Sequence, residues 1–183
     1  AGYDVYYEPK TLASREYFIE NLKRGVAYAA AKEVMLAIET MDDPFLNSLS
    51  KIKTIKDEIP SPWLQAYPDL GNLSAWPENN VGRELELGIA NIVSVHLKDT
   101  QAVTVKSKGQ FRDVPFGAGV VDFAGCLRTL KRLDYSGAFT IEMWTEKAAD
   151  PIQEVKQAKD FFDPLFVQAG FVQEPVAKTN VPS

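Results

Sequence analysis

The feature that most constrains this chain is an alternation. Five apolar runs of strand length, at residues 3–7, 34–38, 63–67, 92–97 and 138–143, are each followed by a stretch of helical periodicity. Strands that alternate with helices build parallel βαβ units, and apolar strands without polar alternation predict a sheet covered on both faces. The fold class expected is therefore α/β. The helices are legible from their apolar spacing and their caps. Ser14 is read as the N-cap of a helix carrying Phe18, Leu22, Val26 and Ala29, and Ser48 caps one carrying Leu49, Ile52 and Ile55, with Lys51, Lys53 and Lys56 on its solvated side. Pro77 suits the first turn of a helix with Val81, Leu85 and Ile89, and Asp122 caps one with Phe123, Leu127, Leu130 and Leu133. Asp150, Pro151 and Gln153 open the last helix, whose buried face is predicted to be Ile152, Val155, Phe162 and Leu165. Residues from about 100 to 121 read as a long polar loop, and 172–183 as a flexible tail with no periodicity, leaving 1–171 as part of one domain.

The polar residues that interrupt the apolar runs carry the chemistry. The second run ends at Glu39, the third reaches Asp69, the fourth holds His96 near its end, and the fifth delivers Glu142. Parallel strands share one C-terminal face, so four successive strands would aim these side chains into one crevice. Three carboxylates and an imidazole form an oxygen-rich set suited to Mn²⁺, Mg²⁺ or Zn²⁺. Taken singly, a carboxylate at a strand end is more often a helix cap or surface residue, and a lone histidine more often structural. Four such residues on four consecutive strands, all at the same end, are not explained that way.

Charge and cysteine usage narrow the classes further. Twenty basic against 25 acidic residues give a net charge of -5 without a basic stripe, which argues against a nucleic-acid partner. The single cysteine, Cys126, has no partner for an intrachain disulfide; it reads as core filler and suits a reducing compartment. There is no apolar run of ~18 residues to cross a membrane and no secretory signal, so a cytoplasmic location is expected. The opening Ala-Gly-Tyr-Asp-Val-Tyr-Tyr enters directly as a strand-like run, and the chain is read as a piece of something longer.

Several blocks also resemble a known family. Ala-Ile-Glu-Thr-Met-Asp (37–42), Tyr-Pro-Asp-Leu-Gly-Asn-Leu (67–73), Val-His-Leu-Lys-Asp-Thr (95–100), Pro-Phe-Gly-Ala-Gly-Val-Val-Asp-Phe (115–123) and Ile-Glu-Met-Trp (141–144) resemble the xylose-isomerase-like TIM barrels. Within these the resemblance is to the L-ribulose-5-phosphate 3-epimerases (L-xylulose-5-phosphate 3-epimerases) of bacterial L-ascorbate utilisation. It implies a (β/α)8 barrel of which this chain carries roughly strands 4 to 8. It further implies epimerisation at C3 of a ketopentose 5-phosphate through a cis-enediolate, with a divalent ion (Zn, Mn or Mg) as Lewis acid. On this reading Glu39, Asp69, His96 and Glu142 are the metal ligands. Glu39 and Glu142 are also the catalytic acid and base, and Asp69 and His96 are ligands only.

The resemblance leaves the substrate contacts less determined. Asn72 stands where related sugar epimerases place a substrate-contacting histidine, and Lys98 and Asp99 follow the metal histidine. Lys108, Arg112 and the amides near Gly117 and Gly119 are the phosphate candidates, and Asn72, Lys98 and Arg112 the substrate-binding set. His96 is expected to donate its second ring N–H to an acceptor behind it. Related barrels associate through their outer helices, which implies a homodimer. The competing functions are an aldose-ketose isomerase using the same metal, a three-zinc abasic-site endonuclease, and a non-catalytic sugar-binding barrel. The endonuclease needs several histidines where this stretch has one.

Overall fold

The structure, a computed structural model, describes residues 9–172. The elements run α1 (Leu12–Ala31), β1 (Leu36–Glu39), α2 (Leu49–Glu58), β2 (Leu64–Tyr67), α3 (Leu70–Ser74), α4 (Val81–Gly88), a 3-10 turn (Ile89–Asn91), β3 (Ser94–Leu97), β4 (Gln101–Thr104), β5 (Ser107–Gln110), α5 (Phe123–Arg132), β6 (Ala138–Ile141) and α6 (Pro151–Ala169). The expected strand at 3–7 and most of the tail at 172–183 lie outside the described residues.

β1 pairs in parallel with β2, and β3 with β6. Isolated parallel bridges, Ala66 to Ile92 and Asp69 to His96, join the two pairs into the order β1-β2-β3-β6. Helices follow these strands, as the βα alternation predicts for consecutive strands of a (β/α) barrel.

Side-chain period two divides the sheet into unlike faces. Ile38, Leu64, Ala66, Val95 and Leu97 are buried in the core beside Leu49, Ile52, Leu85, Leu130 and Phe162 of the helices. The register sets the opposite face: Ala37 beside Gln65, Glu39 beside Tyr67, Ser94 beside Ala138, and His96 beside Thr140. This face is only partly buried, so the expectation of a sheet covered on both sides is corrected. It carries polar residues, and the Tyr67 hydroxyl lies 2.8 Å from Thr140 Oγ1 across it.

Several local expectations are also corrected. Thr11, not Ser14, caps α1; Ser14 sits at the third helical position and completes a reciprocal capping box with it, at 3.0 and 2.9 Å. Pro77 lies ahead of α4 and not in its first turn, and Asn80 caps the helix, because the chain first makes the short α3 under an Asp69 cap and then a turn at Trp76. The polar stretch 100–121 contains the antiparallel hairpin β4–β5, whose register pairs Val103 with Lys108. Lys56 is not simply solvated: its ammonium donates to the Leu64 carbonyl and to Gln65, tying α2 to β2. Ser48, Asp122 and Asp150 cap α2, α5 and α6 as read. Ile152 and Val155 are exposed; Ala158 and Phe162 bury α6, and Leu165 packs against the core. Ile152 and Val155 lie in the first turns of α6, ahead of the aromatic cluster of Phe116, Phe123, Phe161 and Phe162 that anchors it.

Candidate metal centre

Each of the four candidate ligands is placed by the strand ends. Glu39 is the last residue of β1, and His96 is the third of β3. Asp69 lies two residues past β2, and Glu142 is the residue after β6. Their backbones are tied sideways across the sheet. Thr40 Oγ1 accepts from the Asp69 N–H at 2.9 Å, the Pro68 carbonyl from His96 N–H at 2.9 Å, and the Leu97 carbonyl from Glu142 N–H at 3.1 Å. A one-residue slip at any of these pairings would turn a ligand away.

The four side chains meet. Each offers one ligand atom within 4.8 Å of the others. His96 Nδ1 lies 2.7 Å from Glu39 Oε1, 3.4 Å from Glu142 Oε2 and 3.9 Å from Asp69 Oδ2. The Tyr67 ring lies against the imidazole, with centroids 4.1 Å apart, and fixes its plane. No acceptor for Nε2 of His96 occurs among the described residues, so the expected partner behind the histidine is not found there.

Asp69 divides its carboxylate between two tasks. Oδ1 accepts from Asn72 N–H at 2.7 Å and caps α3. Oδ2 is buried without a hydrogen bond, as is Glu142 Oε2. Beside their contacts to the imidazole, both oxygens form an ion pair with Lys98 Nζ, at 3.2 and 3.4 Å. Burial pushes the Asp69 carboxyl up to about 8, against the pull of Lys98 and with help from Glu142. Burial draws the His96 pKa down, but the Glu39 hydrogen bond and the three carboxylates outweigh it, and the net shift is upward. Buried oxygens that lack a donor, beside an imidazole and a third carboxylate, fit a divalent cation.

The remaining candidates are distributed differently. Asn72 is buried behind Asp69, where its side-chain nitrogen donates to the Thr40 carbonyl at 2.7 Å and its Oδ1 has no partner. Lys98 is buried, with Nζ 5.5 Å from the centroid of Trp144, and the Arg112 guanidinium lies 5.1 Å from the same ring. Lys98, Glu142, Trp144, Lys147, Phe116 and Phe161 are among the residues around a cavity of about 590 Å³ that opens beside the cluster. Lys108 is exposed on the hairpin and is not one of the cavity's lining residues.

The Gly117 and Gly119 amides are not available to a phosphate. Both donate to Asp99 Oδ2, at 2.8 and 3.0 Å, while Thr100 and Val121 donate to Oδ1 at 2.9 and 3.3 Å. Asp99 is thus the buried anchor of the segment that lines the cavity with Val114, Pro115 and Phe116. A Cβ on Gly119 would collide with the Asp99 carboxylate, and Gly117 takes a positive φ of 84°. Sequence reasoning missed this role, and also that of Thr40, which is fully buried and holds Asp69 from both sides of its peptide.

Comparison with known proteins identifies the family. A family model described as a xylose isomerase-like TIM barrel matches residues 1–165. A protein of Escherichia coli (strain K12), provisionally named L-ribulose-5-phosphate 3-epimerase SgbU, is 54% identical over 172 residues, covering 94% of this chain and 60% of its own. L-ribulose-5-phosphate 3-epimerase UlaE of Shigella boydii serotype 18 is 47% identical over 173 residues, with 94% of this chain and 58% of the relative covered. The chain therefore spans about 60% of the length of these relatives. A xylose isomerase-like TIM barrel protein from Mycobacterium smegmatis, solved in complex with magnesium, superposes with a TM-score of 0.65 at 17% identity over 90% of this chain and 54% of that one.

Proposed function

Because the chain belongs to the xylose isomerase-like TIM barrel family, we propose that it forms the active-site part of a metal-dependent isomerase that epimerises a ketopentose 5-phosphate at C3. The substrate class rests on the relatives named as L-ribulose-5-phosphate 3-epimerases, with L-ribulose 5-phosphate and L-xylulose 5-phosphate as the pair. One observation supports the chemistry above all: Glu39, Asp69, His96 and Glu142 converge from four adjacent strands around two buried, unsatisfied oxygens.

Glu39, Asp69, His96 and Glu142 would hold the ion, and once bound it would supply a Lewis acid that stabilises negative charge on the substrate as C3 is deprotonated. Inversion needs a proton acceptor on one side of C3 and a donor on the other. Glu39 and Glu142 suit those tasks, since β1 and β6 are the outermost of the four strands and would flank a sugar lying over β2 and β3. Asp69 is unsuited to proton transfer, because one oxygen caps α3 and the whole side chain is buried. The cavity beside Lys98 and Trp144 has room for the phosphate end, with Lys147 among its lining residues and the Arg112 guanidinium over the Trp144 ring. Asn72 is buried, and it enters this reading as a support of Asp69, whose Oδ1 accepts from its N–H, and not as a substrate contact. The lone buried cysteine suits the cytoplasm, and a homodimer is inferred from the resemblance.

The test is epimerisation of L-ribulose 5-phosphate in heavy water with a metal-loaded preparation. The expected outcome is formation of L-xylulose 5-phosphate with deuterium at C3. Deuterium at C1 or C2 with an aldopentose product would replace this reading with an aldose-ketose isomerase. Absence of both a stoichiometric ion and any turnover would leave a sugar-binding barrel instead.

A further inference from the structure

We propose that Lys98 is the internal counter-ion of the metal site: a divalent cation entering the cluster displaces its ammonium from Asp69 and Glu142, and the released ammonium turns toward the Trp144 side of the cavity. The inference rests on the metal reading above and concerns a residue that reading does not need.

The geometry points to it through shared atoms. Lys98 Nζ lies 3.2 Å from Asp69 Oδ2 and 3.4 Å from Glu142 Oε2. These are the same two oxygens that face His96 Nδ1, at 3.9 and 3.4 Å, and the same two that lack any hydrogen-bond donor. An ion taking them at the usual ~2.0 to 2.2 Å would sit against the ammonium with no water between the two cations. Both would draw on one pair of carboxylates in a largely buried site, where like charges repel strongly. The side chain has somewhere to go. Its Nζ already lies 5.5 Å from the centroid of the Trp144 ring, and Lys98 and Trp144 both line the cavity of about 590 Å³. An ammonium leaving the carboxylates there keeps an attractive aromatic face and becomes available to an anionic group in the cavity.

Two measurements on the full-length protein test the displacement, and neither reads turnover. In the first, Mn²⁺ is titrated calorimetrically into ion-free protein with Lys98 intact, Lys98→Met or Lys98→Gln, each checked for folding by circular dichroism. Loss of the competing ammonium is expected to tighten Mn²⁺ binding at least about fivefold. In the second, Lys98 of the unsubstituted protein is acylated with acetic anhydride and quantified by peptide mass spectrometry, with and without Mg²⁺ or Zn²⁺. Labelling is expected to rise several-fold when the ion is present, because the ammonium leaves its buried pairing; exposed Lys53 serves as the internal reference. Equal or weaker Mn²⁺ binding in the variants overturns the proposal. Tighter binding with unchanged or reduced acylation also overturns it, since that pattern is repulsion without displacement. No ion binding by the unsubstituted protein defeats the metal reading itself, whereas a bound ion with an indifferent Lys98 defeats this inference alone.

Discussion

Asp99→Ala tests whether a single carboxylate holds the segment that lines the cavity. The Thr100 N–H, in a fully buried residue, loses its partner on Oδ1, and such an orphan costs about 1 to 3 kcal/mol. Gly117, Gly119 and Val121 are half-buried or exposed, so water takes up part of their loss, and each forfeits about 0.5 to 1.5 kcal/mol. Together these ranges give an expected destabilisation of about 2.5 to 7.5 kcal/mol. Asp99→Asn keeps one acceptor oxygen and should cost about half as much. Urea unfolding gives the global value. Amide hydrogen exchange at Gly117 and Gly119 gives the local one, with protection expected to fall ~100-fold, the equivalent of about 2.7 kcal/mol. Asp160→Ala on the exposed side of α6 is the control and should stay within about 0.5 kcal/mol. Because Val114, Pro115 and Phe116 line the cavity from this segment, the variant's KM for substrate should also rise. An Asp99→Ala protein within about 1 kcal/mol of the parent, with Gly117 and Gly119 still protected, would refute the anchoring role.

Other outcomes follow from the same geometry. Glu39→Gln and Glu142→Gln should retain Mn²⁺, since an amide oxygen still coordinates, but lose ~10²- to 10⁴-fold in turnover; a Glu142→Gln protein that holds its ion at near-parental rate removes Glu142 from proton transfer. Mn²⁺ affinity should rise with pH toward about 8, by up to tenfold per pH unit for each proton expelled. The sign is set by Asp69, whose carboxyl burial pushes up, and by His96, raised above its usual value: any proton either carries must leave before it ligates, so a pH-independent affinity would contradict the assignment. Cys126 is buried with its thiol pushed up to about 12, so a thiol reagent should label it only after unfolding. Leu64→Ala, at a fully buried position on β2, should cost about 2 to 5 kcal/mol in urea unfolding.

What was legible in the sequence and what was not divide along a physical line. Glu39, Asp69, His96 and Glu142 stood out because each breaks or ends an apolar run, and parallel strands bring like ends together whatever their loops do. The β/α alternation needed only local periodicity. Features made by contact between distant residues left no such mark. Asp99 binds amides 18 to 22 residues away, and nothing in Lys-Asp-Thr-Gln distinguishes an anchor from a substrate contact. The hairpin β4–β5 escaped notice because Ser107–Gln110 is polar with a glycine at positive φ, which reads as loop whether or not a partner strand pairs with it.

The burial of α6 failed for a related reason. Helical spacing groups Ile152, Val155, Phe162 and Leu165 as apolar, but spacing does not say how far along the helix the neighbouring elements reach. The cluster of Phe116, Phe123 and Phe162 buries the helix from Ala158 onward and leaves its first turns exposed. Lys98 joins both classes. Its position after His96 was legible, and period two puts residue 98 on the same face of the sheet as the histidine two residues before it. What the sequence did not show is the pairing of its ammonium there with Asp69 and Glu142, which neighbouring strands bring beside it. Because the strand ends at Leu97, Lys98 is free of the β3–β6 register that places His96 and Glu142. The displacement proposed for Lys98 requires that freedom: its ammonium can leave the carboxylates while the β3 and β6 pairing that positions His96 and Glu142 stays intact.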